Sequence, residues 1–291
     1  MNNPVRELPF DEIPERLMEI PEPPKKLYTR GEMPKSDAKF LCIVGSRKYT
    51  DYGKEACQKL IAGLKGYNIV IVSGLALGID GIAHRAALDA GLTTLAIPGS
   101  GLHSSVLYPS SNRQLAEKIV ESGGALISEF EPMFRATTYS FPQRNRIMAG
   151  ISHATLIIEA EIKSGTLITS RLATDYNRDV MAVPGSIFSK NSEGPNMLIR
   201  LGATPVSSSA HILETLGFKI EEDKTTKELE LKNLSDDERK VLILIKNPLS
   251  RDELIRELVK SGMSVSDSSA LISIMEIKGL IEEKMGEIVR K

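Results

Sequence analysis

Short apolar segments alternate with helical segments about six times between residues 39 and 216, and this alternation limits the fold more than any other feature. The apolar segments are Lys39–Val44, Asn68–Ser73, Thr93–Ile97, Gly124–Ser128, His153–Glu159 and Asp179–Val183. Near-continuous apolar strands separated by helices are typical of a parallel sheet that is covered on both faces. The sequence therefore predicts an α/β fold, a doubly wound Rossmann-like and mostly parallel sheet, over residues 38–217.

The residues on either side of this region differ from it in composition. Residues 1–37 hold seven of the fifteen prolines and are predicted to form a proline-rich N-terminal lead-in. Residues 218–234 are strongly charged, which indicates a linker. In residues 235–291, a capping box at Ser235 and Glu238 opens the first of three predicted helices, and a hairpin with Gly286 at its turn follows. This order predicts a small C-terminal winged-helix domain.

The overall composition excludes several classes of protein. The formal net charge is −1 and the sequence pI is about 6.5, so any anion-binding site must be local. No apolar run is long enough to cross a membrane, and the N-terminus lacks the apolar core of a secretory signal. Cys42 and Cys57 have no metal-ligand spacing and fit reduced thiols. We therefore expect a cytoplasmic protein with neither membrane contact nor a bound metal.

Glycine-containing turns follow several of the predicted strands. They occupy residues 45–47, 73–78, 99–101 and 185–186. Glycine at such a place lets backbone N–H groups approach a phosphate, although α/β sheets also need such turns for geometry alone. Four of them at one edge of a sheet, with Arg47 projecting from the first, favour an anion-binding surface. Neither the dinucleotide pattern Gly-x-Gly-x-x-Gly nor a P-loop is present, so no cofactor is expected.

The segment Phe141–Gly150 carries Arg144 and Arg146 just before an apolar strand. No Asp or Glu occurs in residues 132–158, which makes the segment a local positive patch in a nearly neutral chain. Arginine forks suit phosphate oxygens, and an adjacent aromatic ring can stack on a base. Tyr108 is a further candidate for stacking, but packing beside the neighbouring Pro109 explains it better.

A catalytic constellation is hard to assemble from this sequence. Asp80 and His84 share a helix face and could form an acid–base pair, but a helix-terminal charge with a supporting partner explains them better. Glu159 and Glu161 could ligate Mg²⁺, but Lys163 follows closely and favours local ion pairing instead. We therefore expect no enzymatic activity.

Taken in order along the chain, these motifs resemble the DNA-processing protein A family (DprA, also called Smf). The resemblance rests on Ile43–Arg47, Ser73–His84, Ile97–Leu102, Tyr108–Pro109, Ile127–Glu129, Phe141–Arg146, Ser164–Thr169 and Val183–Gly185. It covers about residues 39–216, and the C-terminal residues resemble the winged-helix domain of many members. The sterile-α-motif-like helical domain that some members carry at the N-terminus is not expected in this chain.

The resemblance implies a bacterial cytoplasmic protein that binds and protects incoming single-stranded DNA and loads the recombinase RecA onto it during natural transformation. It also implies a homodimer formed through the Rossmann-like domain and no enzymatic activity. The residues assigned to DNA binding are Gly45, Ser46, Arg47, Gly74, Leu75, Gly78, Gly99, Gly101, Phe141, Arg144, Asn145, Arg146, Lys163, Gly165 and Thr166. Arg144 and Arg146 are expected to line one pocket with Phe141 and to grip backbone phosphates.

One position departs from the family pattern. Members commonly carry a DNA-contacting lysine directly after the Tyr-Pro pair, where this chain has Ser110. Arg113, one helical turn further on, is the candidate substitute and joins the predicted DNA-binding set. Without such a substitute, the missing lysine predicts a DNA affinity below the family norm.

The predicted winged helix has an unusual charge balance for a DNA-reading module. Residues 235–291 hold 11 acids against 10 lysines and arginines, and the candidate recognition helix at 264–278 offers Asp267, Glu276 and one lysine. A helix that enters the major groove usually brings basic side chains. We therefore predict a partner-binding or dimer-supporting module that is not the chief DNA site.

Two other functions fit parts of the sequence. A phosphoribohydrolase of the cytokinin-activating type would share the Rossmann-like sheet, but Pro98–Gly101 matches only part of its Pro-Gly-Gly-x-Gly-Thr loop. A transcriptional regulator would use the winged helix to read duplex DNA, and the acidic recognition helix argues against it.

Overall fold

The structure is a computed structural model that describes residues 4–35, 37–219, 234–245, 248–284 and 286–290. Two compact units divide the chain, Met1–Ile220 and Glu221–Lys291, here called unit 1 and unit 2. The linker predicted at 218–234 lies almost entirely outside the described residues. None of the helices in the described part of the chain is long and apolar enough to span a membrane.

Unit 1 is built on one nine-stranded sheet. Its strands are β1 (Arg6–Glu7), β2 (Tyr28–Gly31), β3 (Lys39–Val44), β4 (Ile69–Ser73), β5 (Thr93–Ala96), β6 (Ala125–Ser128), β7 (Ala154–Ile157), β8 (Asp179–Ala182) and β9 (Thr204–Pro205). Their spatial order is β1-β2-β6-β5-β4-β3-β7-β8-β9. The run from β6 to β9 is parallel, whereas β1 and β2 add antiparallel strands at one edge. The predicted Rossmann-like sheet is confirmed.

Helices cover both faces of this sheet. They are α1 (Glu15–Met18), α2 (Asp51–Ala62), α3 (Ile79–Asp89), α4 (Arg113–Glu121), α5 (Ser140–Ile151), α6 (Thr166–Asp175), α7 (Lys190–Arg200) and α8 (Ser209–Thr215). Strand β3 shows the consequence, because Leu41 and Ile43 point into one apolar cluster while Cys42 and Val44 point into another. Alternate side chains of a strand point to opposite faces, so an apolar strand without polar alternation indicates two cores.

The direction in which the chain fills the sheet reverses beside β3. From β3 the chain builds outward through β4, β5 and β6, and it then returns to place β7 on the other side of β3. Ligands of open α/β sheets bind beyond the carboxyl ends of the strands at such a switch point. The topology therefore places the expected site between the segments that follow β3 and β7.

The N-terminal lead-in belongs to unit 1. Its strands β1 and β2 extend the sheet, and Leu17 and Leu27 are fully buried against the core residues of β3 and α5. The proline content predicted an extended lead-in, and the structure shows that apolar residues between the prolines are buried in the core of unit 1. A boundary at residue 37 does not separate the lead-in from the sheet.

Helix α5 is the element that sequence periodicity missed. It spans the positive segment Ser140–Ile151, and Pro142 lies in its first turn, where a proline is tolerated. Most of the helix is buried, including Arg144, Asn145 and Ile147–Ile151. Because it is enclosed on several sides, it lacks the alternating apolar face by which a surface helix is recognised.

Unit 2 contains three helices and a small sheet. The helices are α9 (Asp236–Leu244), α10 (Arg251–Lys260) and α11 (Val265–Ile277), and the strands are β10 (Leu249–Ser250), β11 (Ile281–Lys284) and β12 (Glu287–Arg290). The order of the antiparallel sheet is β10-β12-β11, and Gly286 in the turn has a φ of +83°. Capping boxes open α9 at Ser235 and α10 at Ser250. The helices and ribbon form the predicted winged-helix arrangement.

Candidate nucleic-acid interface

The segment that follows β3, Gly45–Thr50, forms the first wall of the site and is called the β3 turn. Ser46 fixes its shape, because its hydroxyl donates to the Lys48 carbonyl at 2.9 Å and accepts from the Lys48 N–H at 3.0 Å. At the far end, the backbone N–H of Thr50 donates to the buried Glu159 carboxylate at 2.9 Å. The turn is thus held at both ends while Arg47 and Lys48 remain exposed.

A second turn, residues 74–78 after β4, packs directly against the first. Ile79 N–H donates to the Ser46 carbonyl at 3.2 Å, and Gly78 takes a φ of +79° that L side chains rarely adopt. A Cβ atom at Gly78 would also overlap the backbone of Ser46. Glycine at 78 therefore serves the contact between two protein turns, and it does not itself line the cavity that the β3 turn borders.

Three side chains form a row across the mouth of the site. The Arg47 guanidinium lies 5.4 Å from the centre of the Phe141 ring, and the rings of Phe141 and Tyr108 are 5.7 Å apart. Tyr108 is about half exposed. Gly99 makes room for this row, because a Cβ atom there would lie 2.6 Å from Cδ1 of Phe141. A cation beside two rings can meet both the phosphates and the bases of a nucleic acid.

Beside this row lies a cavity of about 420 Å³, here called the strand-end pocket. Its walls come from the β3 turn, from the beginning of α5, and from the loop and helix that follow β7. The predicted residues that line it are Gly45, Ser46, Arg47, Phe141, Arg144, Asn145, Lys163, Gly165 and Thr166. The N-terminus of α6 borders the pocket at Thr166, and the positive end of the helix dipole favours anions there, although the N–H groups of Thr166, Leu167 and Ile168 bond to Ser164 and Gly165. The pocket therefore lies at the topological switch point.

Arg144 lies in the floor of the pocket and is almost completely buried. Its Nη1 atom donates to the carbonyl of Ile97, and a Cβ atom on Gly74 would overlap its guanidinium. Burial lowers the pKa of Arg144, and the Asp80 carboxylate opposes this effect. Since a guanidinium keeps its proton in proteins, Arg144 supplies a fixed positive charge from below.

Asp80 is the buried acid that accompanies this charge. Its carboxylate accepts a hydrogen bond from Gly74 N–H at 3.1 Å, which fixes the turn after β4. Burial raises the pKa of Asp80, and Arg144 acts in the opposite direction. Sequence reasoning treated Asp80 as a helix-terminal charge, and its proximity to Arg144 became visible only in the fold.

Arg146 does not line the pocket, contrary to the expectation that it would do so beside Arg144. Its guanidinium forms an ion pair with Glu129 and donates to the carbonyl of Glu22 in the lead-in. Residues two apart on a helix point in nearly opposite directions, so a helical α5 separates the two arginines. The expectation assumed that both side chains would face the same side.

Arg113 lies at the start of α4 and is held by its own loop. Its Nε atom donates to Leu107 O at 3.3 Å and its Nη2 atom to Ser105 O at 2.9 Å. It does not line the strand-end pocket, while Ser110 remains exposed nearby. That Arg113 takes over the role of the missing lysine stays a prediction.

The remaining predicted residues support the site from outside the pocket. Leu75 is buried with a φ of +58°, and Gly101 packs tightly against the backbone of residues 131 and 132. Lys48, in contrast, lines the pocket and was not predicted. The available signal was its position directly after Arg47 in a turn that follows a strand.

Two groups considered for catalysis, His84 and Glu159, are buried and bonded to other residues of unit 1, as structural side chains are. His84 is fully buried, its Nδ1 atom lies 2.7 Å from the Thr94 hydroxyl, and burial lowers its pKa to about 3. The Glu159 carboxylate bonds to Thr50, and the described residues include no cluster of three or more His, Cys, Asp or Glu that could hold a metal ion. Cys42 and Cys57 are buried free thiols whose pKa burial raises to about 12.

The fold and site together define a doubly wound α/β protein with a basic, aromatic pocket at its switch point. The sequence model of one family, DNA recombination-mediator protein A, matches residues 9–217. The chain belongs to this family, which the sequence motifs had indicated.

Several named relatives match about 70% of this chain. Protein Smf of Escherichia coli is 40% identical over 205 residues, which cover 70% of this chain and 54% of that protein. DNA processing protein DprA of Streptococcus pneumoniae is 39% identical over 208 residues, which cover 72% of each chain. Protein Smf of Synechocystis is matched over 52% of its length, so the chain spans about half the length of the two Smf relatives.

Two solved structures resemble the fold closely. The X-ray structure of DprA from Streptococcus pneumoniae has a TM-score of 0.68 at 37% identity and covers 75% of both chains. A DprA structure from Helicobacter pylori, described for its single-stranded DNA binding mode, has a TM-score of 0.64 at 30% identity. It covers 74% of this chain and 98% of that one.

Proposed function

We propose that unit 1 binds single-stranded DNA at the strand-end pocket and that the chain acts as a recombination mediator. The observation that carries this proposal is the row of Arg47, Phe141 and Tyr108 beside a pocket at the topological switch point. Membership of the recombination-mediator family supports it, as does the single-stranded DNA binding described for the Helicobacter pylori relative.

The geometry suggests how the strand is held. Arg47 and Lys48 are exposed on a turn whose ends are fixed, so they can meet phosphates without reordering the backbone. Lys163 and the N-terminus of α6 offer further positive potential across the pocket. Phe141 and Tyr108 offer ring faces to bases, and stacking of this kind tolerates any base. We therefore expect binding with little sequence preference.

Arg144 and Asp80 act beneath the DNA in this account. The guanidinium is committed to Ile97 O and is almost completely buried, so it attracts phosphate through its charge more than by direct contact. Asp80 holds the turn after β4 and partly offsets that charge. This arrangement keeps the pocket polar and rigid.

The proposed role includes loading of RecA onto incoming single-stranded DNA during natural transformation, in the bacterial cytoplasm. These elements rest on the family resemblance.

A homodimer through unit 1 is also proposed, and a groove of about 1040 Å³ between α6 and α7 supports it. Leu201, at the rim of that groove, is 71% exposed, and β9 beside it is a short edge strand.

We propose a binding role without catalysis. The pocket lining contains Asp80 and Glu161 as its only carboxylates among the described residues, and no histidine or cysteine among them lines it. Asp80 is buried and bonded to Gly74, which leaves it unable to serve as a mobile proton carrier. No specific observation favours the phosphoribohydrolase alternative.

Anisotropy titrations with oligo-dT and with a matched duplex, across a salt series, test the proposal. The three exposed cations around the pocket, Arg47, Lys48 and Lys163, predict a slope of about −2 in log K against log salt for the single strand. We expect clear preference for oligo-dT over the duplex. Equal or tighter binding of the duplex would overturn the proposal.

A further inference from the structure

The loop that follows β8, Val183–Ser189, presents an apolar tip at the same sheet edge as the strand-end pocket; we call it the β8 loop. Strands β3, β7 and β8 are adjacent and parallel, with Val44 opposite Ile157 and Ile157 opposite Ala182. Their carboxyl ends therefore leave the sheet side by side. Neighbouring strands lie about 4.8 Å apart, so the β8 loop starts about 10 Å from the β3 turn.

The two apolar side chains at the tip of this loop are unusually exposed to solvent. Phe188 is 93% exposed and Ile187 is 83% exposed. A phenylalanine ring left in water in this way forgoes a large gain from burial, and an exposed aromatic tip next to a binding site is a candidate contact.

The loop is nevertheless held in place. Tyr52 Oη donates to Pro184 O at 2.6 Å, and Asn191 Nδ2 donates to Lys48 O at 2.7 Å. Within the loop, Ser189 N–H donates to Ser186 O at 3.0 Å. The second of these bonds ties the start of α7 to the turn that carries Arg47. The backbone of the β8 loop is therefore anchored on both sides of Phe188, next to the turn that carries Arg47.

Charges around the tip decide what kind of contact it favours. Lys48 and Lys190 are exposed on its two sides, but Asp51 and Glu193 are exposed on the flanking helices. The patch is therefore close to neutral, and phosphate attraction alone gives it little affinity. An exposed ring in a nearly neutral setting suits base stacking.

We propose that Phe188 is a second base-stacking platform, which receives a nucleotide of a single strand as it leaves the strand-end pocket along the carboxyl edge of β7 and β8. This inference rests on the proposed binding of single-stranded DNA in the pocket. It assigns to the β8 loop a role that depends on strand length, because a short strand fills the pocket without reaching Phe188.

The test compares oligo-dT of about 6 nucleotides with oligo-dT of about 20 nucleotides on the full chain. Phe188→Ala is expected to weaken binding of the long strand about tenfold and to leave the short strand unaffected. The salt slope should not change, because no charge is removed. Phe188→Tyr keeps a ring and should bind the long strand like the wild type.

Ile277→Ala is the matched control, because Ile277 is an exposed apolar residue of unit 2 with 87% exposure. It should bind both strands like the wild type. Phe188 is so exposed that its removal should leave thermal unfolding unchanged, which circular dichroism checks.

Two results would overturn the inference while leaving the proposed function intact. One is wild-type affinity of Phe188→Ala for the long strand. The other is a change in its sedimentation coefficient, which would make the tip a contact to another protein chain. If the wild type bound neither oligonucleotide, the proposed function would fail, and this inference with it.

Discussion

Arg144 and Arg146 are separated by one residue, and the structure gives them different tasks. Arg144 is buried in the pocket floor and bonded to Ile97 O, whereas Arg146 pairs with Glu129 away from the pocket. The difference follows from the helical geometry of α5, because residues two apart do not share a helix face. Of these two arginines, only Arg144 can therefore influence DNA in the arrangement described.

Arg146→Ala should lower stability and spare DNA binding. The ion pair with Glu129 is largely buried, with side-chain exposures of 13% and 10%. The substitution therefore leaves the Glu129 carboxylate buried without its ion-pair partner. We expect a loss of about 2–3 kcal/mol in the free energy of unfolding, measured by urea denaturation. Affinity for oligo-dT should stay within about twofold of the wild type. A large loss of affinity in a folded variant would show that Arg146 contacts DNA.

His84 should make the protein sensitive to mild acid. Burial lowers its pKa from 6.5 to about 3, so between these values the unfolded chain binds a proton that the folded protein does not. Stability is therefore fully present above pH 6.5 and falls as the pH drops below it, by about 1.4 kcal/mol per pH unit. His84→Gln should flatten this dependence in denaturation curves between pH 7 and about 4.

The half-buried His153 provides a comparison for this effect. Burial lowers its pKa to about 4, so it acts with the same sign in the same range. His153→Gln should therefore flatten the curve much as His84→Gln does down to about pH 4, and less than it below that pH. An unchanged pH dependence in His84→Gln would contradict the account of His84 as a buried neutral side chain.

At the scale of elements, the glycine turns position the site's own side chains. Gly99 leaves space for the Phe141 ring and Gly74 leaves space for Arg144. Sequence reasoning expected these glycines to let the backbone approach a phosphate. The structure gives a more specific reason, since the nearest atoms to an added Cβ belong to the site itself.

Gly99→Ala should therefore weaken DNA binding without unfolding the protein. The added Cβ would lie 2.6 Å from Cδ1 of Phe141, so the ring must move away from Arg47. We expect about tenfold weaker binding of oligo-dT by anisotropy. Gly91→Ala is the control for a methyl added to an exposed turn away from the site: nothing lies within 4 Å of its Cβ, and its φ of +71° should lower stability without changing the affinity for oligo-dT. Equal affinity of both variants would contradict the proposed role of the ring.

Leu17 tests whether the lead-in is part of the folded core. It lies in α1, is fully buried and packs with residues of β3 and α5. Leu17→Ala should cost about 2–5 kcal/mol in the free energy of unfolding, measured by urea denaturation. A loss below about 0.5 kcal/mol would indicate a lead-in that does not pack as described.

Sequence predicted the parallel strands well, because β3 and β4 are unbroken apolar runs whose ends are marked by glycine. It predicted Arg47 and Phe141 as neighbours in one site, and the structure brings them together. It missed α5, whose burial on several sides removes the apolar periodicity of a surface helix. The separation of the two arginines depended on that helix and could not be inferred without it.

At the scale of the whole molecule, the two units carry different charge arrangements. In unit 2, Arg251 pairs with Glu276 and Glu283, and Lys278 pairs with Glu238. In these ion pairs, carboxylates neutralise Arg251 and Lys278, which a DNA-reading winged helix would need for contacts with DNA. We therefore propose that unit 2 contacts a protein partner or supports the dimer, and that unit 1 carries the chief DNA site.

A fragment of residues 1–220 should retain the affinity of the full chain for oligo-dT within about threefold. The fragment contains the whole sheet and all residues that line the strand-end pocket. Circular dichroism would confirm that it folds. Abolished binding in a folded fragment would show that unit 2 is required for the DNA site.

The central claim is that Arg47 and its aromatic neighbours form the DNA site. The most direct measurement is the affinity of Arg47→Ala for oligo-dT across a salt series, with Lys118→Ala as a control for the loss of an exposed charge on α4. We expect Arg47→Ala to bind at least tenfold more weakly, with a salt slope reduced by about 0.7, while its unfolding remains that of the wild type. Wild-type affinity and slope in Arg47→Ala would contradict the account.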